Sequence, residues 1–170
     1  MLRVRVPELM DDPQVDPKLH AHALAGLRRV NALSRSDAIL WRPLHDLALR
    51  NTPRTLRVLD IATGSGDVPI KLAQRFAHAK LKVELFGCDI SPTALSIAKA
   101  AAHQANVNVH FFQADLFAAP LPQHYDAVIC SLFLHHLDPP EAELVLKRMA
   151  EAGFKALEEA PLDTKAQDQT

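Results

Sequence analysis

An apolar run, Leu56 to Ile61, passes directly into the small, glycine-bearing turn Ala62-Thr63-Gly64-Ser65-Gly66-Asp67. Beyond the turn, Val68, Ile70, Leu72, Ala73 and Phe76 return at helical spacing. The apolar run reads as a strand buried on both faces, which places it in a parallel sheet. A strand, a tight turn and a helix start together form a pocket for a polar ligand. Backbone N–H groups at the first helical turn have no partner within the helix, and glycine lets a ligand approach the chain closely. Taken alone, the same turn would serve equally well as a plain connection.

A second feature gives the turn its meaning. Val83 to Ile90 reads as another strand, and it ends in Asp89, 23 residues after Gly66. An acid at about that spacing sits at the end of the neighbouring parallel strand, where it can accept from ribose hydroxyls. The nicotinamide fingerprint GxGxxG fails, because Pro69 stands where its third glycine belongs. A nicotinamide oxidoreductase is therefore disfavoured.

The pattern resembles the class I S-adenosylmethionine-dependent methyltransferases. Their first motif, an acid followed by alternating small residues, is matched by Asp60, Ala62, Gly64 and Gly66. Ala62 departs from the commoner glycine, as it does in the quinone-biosynthesis C-methyltransferases, which this stretch resembles most. The resemblance continues through Asp89-Ile90-Ser91, Gln113-Ala114-Asp115-Leu116 and Tyr125 to Ser131, and covers roughly residues 55 to 150. It implies an α/β, Rossmann-like parallel sheet of order 3-2-1-4 with helices on both faces, and S-adenosyl-L-methionine as cofactor. By this resemblance Asp60 and the backbone of Ala62, Thr63, Gly64 and Gly66 hold the methionine portion. Asp89 takes the ribose hydroxyls, Ile90 packs on adenine, Asp115 accepts from the adenine amino group, and Leu116 covers the ring's other side. Asp115 fits a simple turn former equally well when taken alone, and Asp67 reads as a helix N-cap.

Composition narrows the remaining classes. A chain of 170 residues with 48% hydrophobic content is one soluble domain with room for a core. Its formal net charge of −1 gives no electrostatic reason to expect nucleic acid. No apolar run reaches the length of a membrane span, and Met1-Leu2-Arg3-Val4-Arg5 lacks the apolar core of a signal peptide. Cys88 and Cys130 lie inside apolar strand runs without CxxC spacing, as buried thiols of a cytoplasmic protein do. The nine histidines share no ligand spacing with acids or cysteines, so no metal site is expected.

In chain order, residues 1 to 15 read as an irregular arm, and Asp16-Pro17 opens a helix carrying Leu19, Ala23, Leu27 and Val30 on one side. A second helix opens at Ser36 or Asp37, carries Leu40, Trp41, Leu44, Leu47 and Leu49, and is interrupted or kinked at Pro43. In the family resembled, such helices form a lid over the cofactor cleft, here residues 1 to 54. Trp41 and Arg42 are candidates for that role, although a core tryptophan and a solvated arginine is the preferred reading. The cofactor domain then spans 55 to 153. Within it the helix after the glycine turn covers Asp67 to Ala79, and Ser91 caps the next. Strands three and four run Asn108 to Gln113 and Asp126 to Leu132. Asp138, Pro139 and Glu141 open a helix in capping-box register, with Leu144, Val145, Leu146 and Met149 as its apolar side and Gly153 at its end.

Residues 154 to 170 form a polar tail in which nothing alternates like a strand. Strands five to seven of the family pattern are expected to be missing, as in a truncated gene product. Strand four then becomes an apolar edge, a candidate for self-association. The function expected is methyl transfer to a small apolar or aromatic molecule, the rival being a truncated, non-catalytic binding or assembly module. Methyl transfer from a sulfonium needs in-line positioning above all, and a base only where the acceptor must lose a proton. Ser131 near the end of strand four, and His135 and His136 after it, stand where the family resembled places substrate and methionine contacts. Ser131 is a cofactor contact by that resemblance, and either histidine could be the base, with at least one of them packing or solvated instead.

Overall fold

A computed structural model describes residues 36–153 of the chain. The helix expected over residues 16 to 30 and the tail lie outside the described residues. Helix α1 (Ser36–Asn51) leads to strand β1 (Leu56–Ile61), then helix α2 (Asp67–His78) and strand β2 (Val83–Asp89). Helix α3 (Pro92–Gln104), strand β3 (His110–Gln113), strand β4 (Ala127–Cys130), a 3-10 turn (Leu134–His136) and helix α4 (Pro139–Gly153) complete it.

The four strands are parallel in the order β3-β2-β1-β4, the order that the family resemblance implies. Every residue of β1 except Arg57 is buried, because helices cover both faces. Alternation divides its side chains between two cores. Leu56 and Val58 face α1, α2 and α3 with Leu72, Phe76 and Leu85. Leu59 and Ile61 face α4 with Cys88, Leu137 and Val145. Burying one such side chain contributes about 1.5–3 kcal/mol, so the central strand anchors both layers.

Several local expectations change. Helix α1 runs unbroken through Pro43, whose missing N–H leaves the Ile39 carbonyl without a helical donor. Pro43 and Ile39 both lie on the exposed side, where water can take that bond. Leu49 of α1 and Leu144 and Leu146 of α4 are exposed rather than core, so the apolar stripes are narrower than their sequences suggest. Trp41 packs edge-on against Phe76 at 5.0 Å and Arg42 is exposed, which is the preferred reading of that pair. Strands β3 and β4 are shorter than expected. β4 ends where Leu132 takes a left-handed backbone, φ 55°, which no strand continues. Among the described residues β4 pairs with β1 alone.

The helix starts follow their sequences more closely. Ser91 caps α3, its hydroxyl accepting the Ala94 N–H at 3.2 Å. Glu141 reaches back to accept the Asp138 N–H at 2.9 Å, half of the expected capping box.

Candidate functional site

The register aligns Asp60 of β1 with Gly87 of β2 and Ile129 of β4, and Asp89 with Gln113 of β3. The turns that follow β1, β2, β3 and β4 therefore open at one edge of the sheet, where open parallel sheets bind ligands. This edge gathers Asp60, the turn Ala62 to Gly66, Asp89-Ile90, Asp115-Leu116 and Ser131 to His136.

The glycine turn has a left-handed backbone at Ala62, Gly64 and Gly66, with φ of 50°, 55° and 76°. Gly66, not Asp67, occupies the N-cap of α2, and it has no side chain to cap with. Asp67 is instead the first helical residue and accepts the Ser65 hydroxyl at 2.6 Å. Pro69 falls in the first turn, where its missing N–H breaks no helical bond. A Cβ on Gly64 would meet nothing within 4 Å, so the turn is open there. One on Gly66 would lie 2.8 Å from the Phe111 ring. A Cβ on Gly87 would also lie 2.8 Å from that ring, so Phe111 sits close against both the turn and β2. Sequence reading passed over Phe111; two glycines on neighbouring elements facing one aromatic strand were the available signal.

Two acids define the floor. Asp89 Oδ2 accepts the Gly64 N–H at 2.8 Å and its Oδ1 accepts the Ser91 N–H at 2.9 Å, so one carboxylate fastens two turns. Asp60 is 3% exposed and accepts the Thr63 hydroxyl at 2.6 Å. Burial, opposed by that hydrogen bond and reinforced by the charge of Asp89, pushes its carboxyl from 3.8 up to about 7. Burial likewise pushes the Cys88 thiol up to about 12 and that of Cys130 up to about 11. Both cysteines are free, and their thiols stay protonated at neutral pH.

The walls come from the remaining loops. Ile90 is 59% exposed, an apolar side chain left for a ligand to cover, and its carbonyl accepts from Gln113. Asp115 Oδ1 accepts the Phe117 and Ala118 N–H groups at 2.7 and 3.3 Å, a turn-forming role, while Leu116 is buried. Arg148 of α4 holds this loop by donating to the carbonyls of Leu116, Phe117 and Ala119. Sequence reading did not find it, because a single arginine on a helix carries no such signal. Ser131 is half-buried at the end of β4, which pairs directly with β1. The rings of His135 and His136 follow, 3.9 Å apart, the first exposed and the second half-buried.

This arrangement offers an acidic floor, open backbone at Gly64 and an exposed apolar side chain, which suits a cationic ligand with an apolar ring. Among the described residues no group of three or more histidines, cysteines or acids could hold a metal ion, and no helix is long and apolar enough to cross a membrane.

Known proteins match the same region. A family model described as a methyltransferase domain matches residues 58–152. A demethylmenaquinone methyltransferase of Thermus thermophilus is 40% identical over 98 residues, 56% of this chain and 42% of that protein. A ribosomal protein L11 methyltransferase of Thermus thermophilus is 34% identical over 140 residues, 67% of this chain and 53% of its own length. The chain thus spans about half the length, or less, of these curated relatives. Among solved structures, the magnesium protoporphyrin IX methyltransferase of Synechocystis PCC 6803, with bound SAH, superposes with a TM-score of 0.56 at 23% identity. That likeness covers 85% of this chain and 59% of the other, and establishes a common fold.

Proposed function

The chain belongs to the methyltransferase-domain family, and from that premise we propose that it binds S-adenosyl-L-methionine and transfers its methyl group to a small apolar or aromatic acceptor. The observation that carries the reading is the Asp89–Gly64 hydrogen bond, which sets the acid of β2 against the open glycine turn of β1. Asp60, Thr63 and the backbone of Ala62, Gly64 and Gly66 hold the methionine portion. Asp89 takes the ribose, Ile90 and Leu116 flank adenine, Asp115 accepts its amino group, and Ser131 closes the methionine side. When bound, the cofactor supplies a methyl group on a sulfonium, activated toward a nucleophile.

The protein's own contribution is orientation and, where needed, proton removal. A rigid turn and a fastened loop hold the reactants in line, the term that dominates such transfers. His135 or His136 accepts the proton if the acceptor is a phenol or an enol-type carbon acid. The likeness to a demethylmenaquinone methyltransferase supports an aromatic, quinone-type acceptor. Residues 1 to 54 serve as a helical lid, 55 to 153 as the cofactor domain and 154 to 170 as a polar tail. The outer edge of β4 is the surface through which a second copy would pair, a reading supported by its single strand partner among the described residues.

Incubation with methyl-labelled S-adenosylmethionine and a panel of phenols and reduced quinones tests this reading. Label should pass to one acceptor class, and His135→Gln or His136→Gln should slow that transfer while leaving cofactor affinity intact. Absence of label in every acceptor, with cofactor bound, would reduce the function to binding.

A further inference from the structure

The acidic floor has a property beyond holding the cofactor, and the inference from it rests on the cofactor reading above. Asp60 is 3% exposed, and the one hydrogen-bond partner of its carboxylate among the described residues is the Thr63 hydroxyl. The titratable groups that interact with it are Asp89 of β2, whose charge disfavours its ionisation, and the thiols of Cys88 and Cys130 on the strands on either side, which feel its charge in turn. Asp67, at the head of α2, is engaged by Ser65. No lysine, arginine or histidine pairs with Asp60 or Asp89 among the described residues. A buried carboxyl beside a second acid and without a cation is costly to ionise, so in the ligand-free protein Asp60 keeps its proton up to about neutral pH.

We infer that Asp60 is a charge selector, which gives up its proton when a cationic ligand enters the cleft and which Thr63 holds ready for that exchange. In the step, the O–H bond of Asp60 breaks, the proton leaves to solvent, and the carboxylate electron pair remains to face the incoming positive charge. The proton count balances without any other reactant. Burial already lifts the carboxyl to about 7, so the exchange falls in the neutral range. Cofactor affinity should then rise about tenfold per pH unit well below about pH 7 and level off above it. Thr63 is a positioning residue, since its hydroxyl favours the ionised form. Removing that hydroxyl should move the midpoint of the exchange to higher pH.

Calorimetric titration of the full chain with S-adenosylmethionine, in two buffers of different ionisation enthalpy and across pH 5.5 to about 8.5, reads the proton directly. Wild type should release close to one proton per site at the acid end and none at the alkaline end. Asp60→Asn should bind without releasing a proton, and Thr63→Val should shift the release midpoint upward. Replacing His135 and His136 by glutamine should leave the release in place. Heats that are equal in both buffers at every pH would overturn the exchange and leave the cofactor reading standing. Continued release by Asp60→Asn, or its loss in the histidine variants, would assign the proton to another group and overturn it too. No binding at any pH would overturn both readings.

Discussion

Asp89 accepts the backbone N–H of Gly64 at 2.8 Å, across 25 residues of chain. Through its other oxygen it also accepts from Ser91, so the turns after β1 and β2 share one clasp. Removing the carboxylate costs these two bonds and, with them, the ribose contact proposed for Asp89. Asp89→Ala should weaken S-adenosylmethionine by about ten- to a hundredfold, or about 1.5–3 kcal/mol, the scale of a hydrogen bond to a charged group. Asp89→Asn, which keeps one acceptor oxygen, should lose less. Equal affinity in wild type and Asp89→Ala, measured by calorimetry, would take Asp89 out of the site.

Ala62 holds a left-handed backbone, φ 50°, where the family pattern resembled above more often has glycine. An L-residue there carries roughly 1–2 kcal/mol of strain that glycine avoids, offset in part by the greater freedom of glycine in the unfolded chain. Ala62→Gly should therefore stabilise the protein by roughly 0.5–1 kcal/mol. Urea denaturation checks this, and a loss of stability would mean that the Ala62 methyl group does useful packing.

The parallel strands and the acids at their ends were legible because they rest on short apolar runs and on spacing, while the sheet order came with the family resemblance. Asp60, Asp89 and the Gly64–Gly66 turn lie within such runs or directly after them, and the structure sets them at one edge. What escaped depends on contacts between segments far apart in sequence. Phe111 meets Gly66 and Gly87, Arg148 reaches the loop after β3, and neither contact leaves a periodic mark. Leu144, Leu146 and Leu49 misled for a related reason, since helical spacing gives a face but not how far a neighbour covers it. The N-cap of α2 moved from Asp67 to Gly66 because the turn needs a left-handed residue at that point.

Asp60 also ties stability to pH. Its carboxyl is raised in the folded protein, from 3.8 to about 7, so between those values the folded state holds the proton more tightly than the unfolded chain. The ligand-free protein should lose stability from this group as pH rises through that window, with the full loss present above about 7. Asp60→Asn removes the titration. The variant should lack this decline and be more stable than wild type at about pH 8. Denaturation curves for both proteins at acid and alkaline pH decide it. Parallel pH profiles would mean that Asp60 ionises as freely in the fold as in the unfolded chain.

Gly87 faces Phe111 and Thr63, where an added Cβ would lie 2.8 and 3.0 Å from their side chains. Gly87→Ala should cost roughly 1–3 kcal/mol by overpacking, and should disturb the Thr63–Asp60 bond with it. Phe111→Leu in the same protein should recover part of the loss by making room. A Gly87→Ala protein with wild-type stability and affinity would show that the ring moves aside freely.

The turn after β1 and the acid of β2 are proposed to form an S-adenosylmethionine site together. Equilibrium dialysis of the 170-residue protein against labelled S-adenosylmethionine, with NADH as competitor, tests it most directly. Binding should be saturable at one cofactor per chain, unaffected by NADH and strongly reduced in Asp89→Ala. Absence of saturable binding, or displacement of the label by NADH, would contradict it.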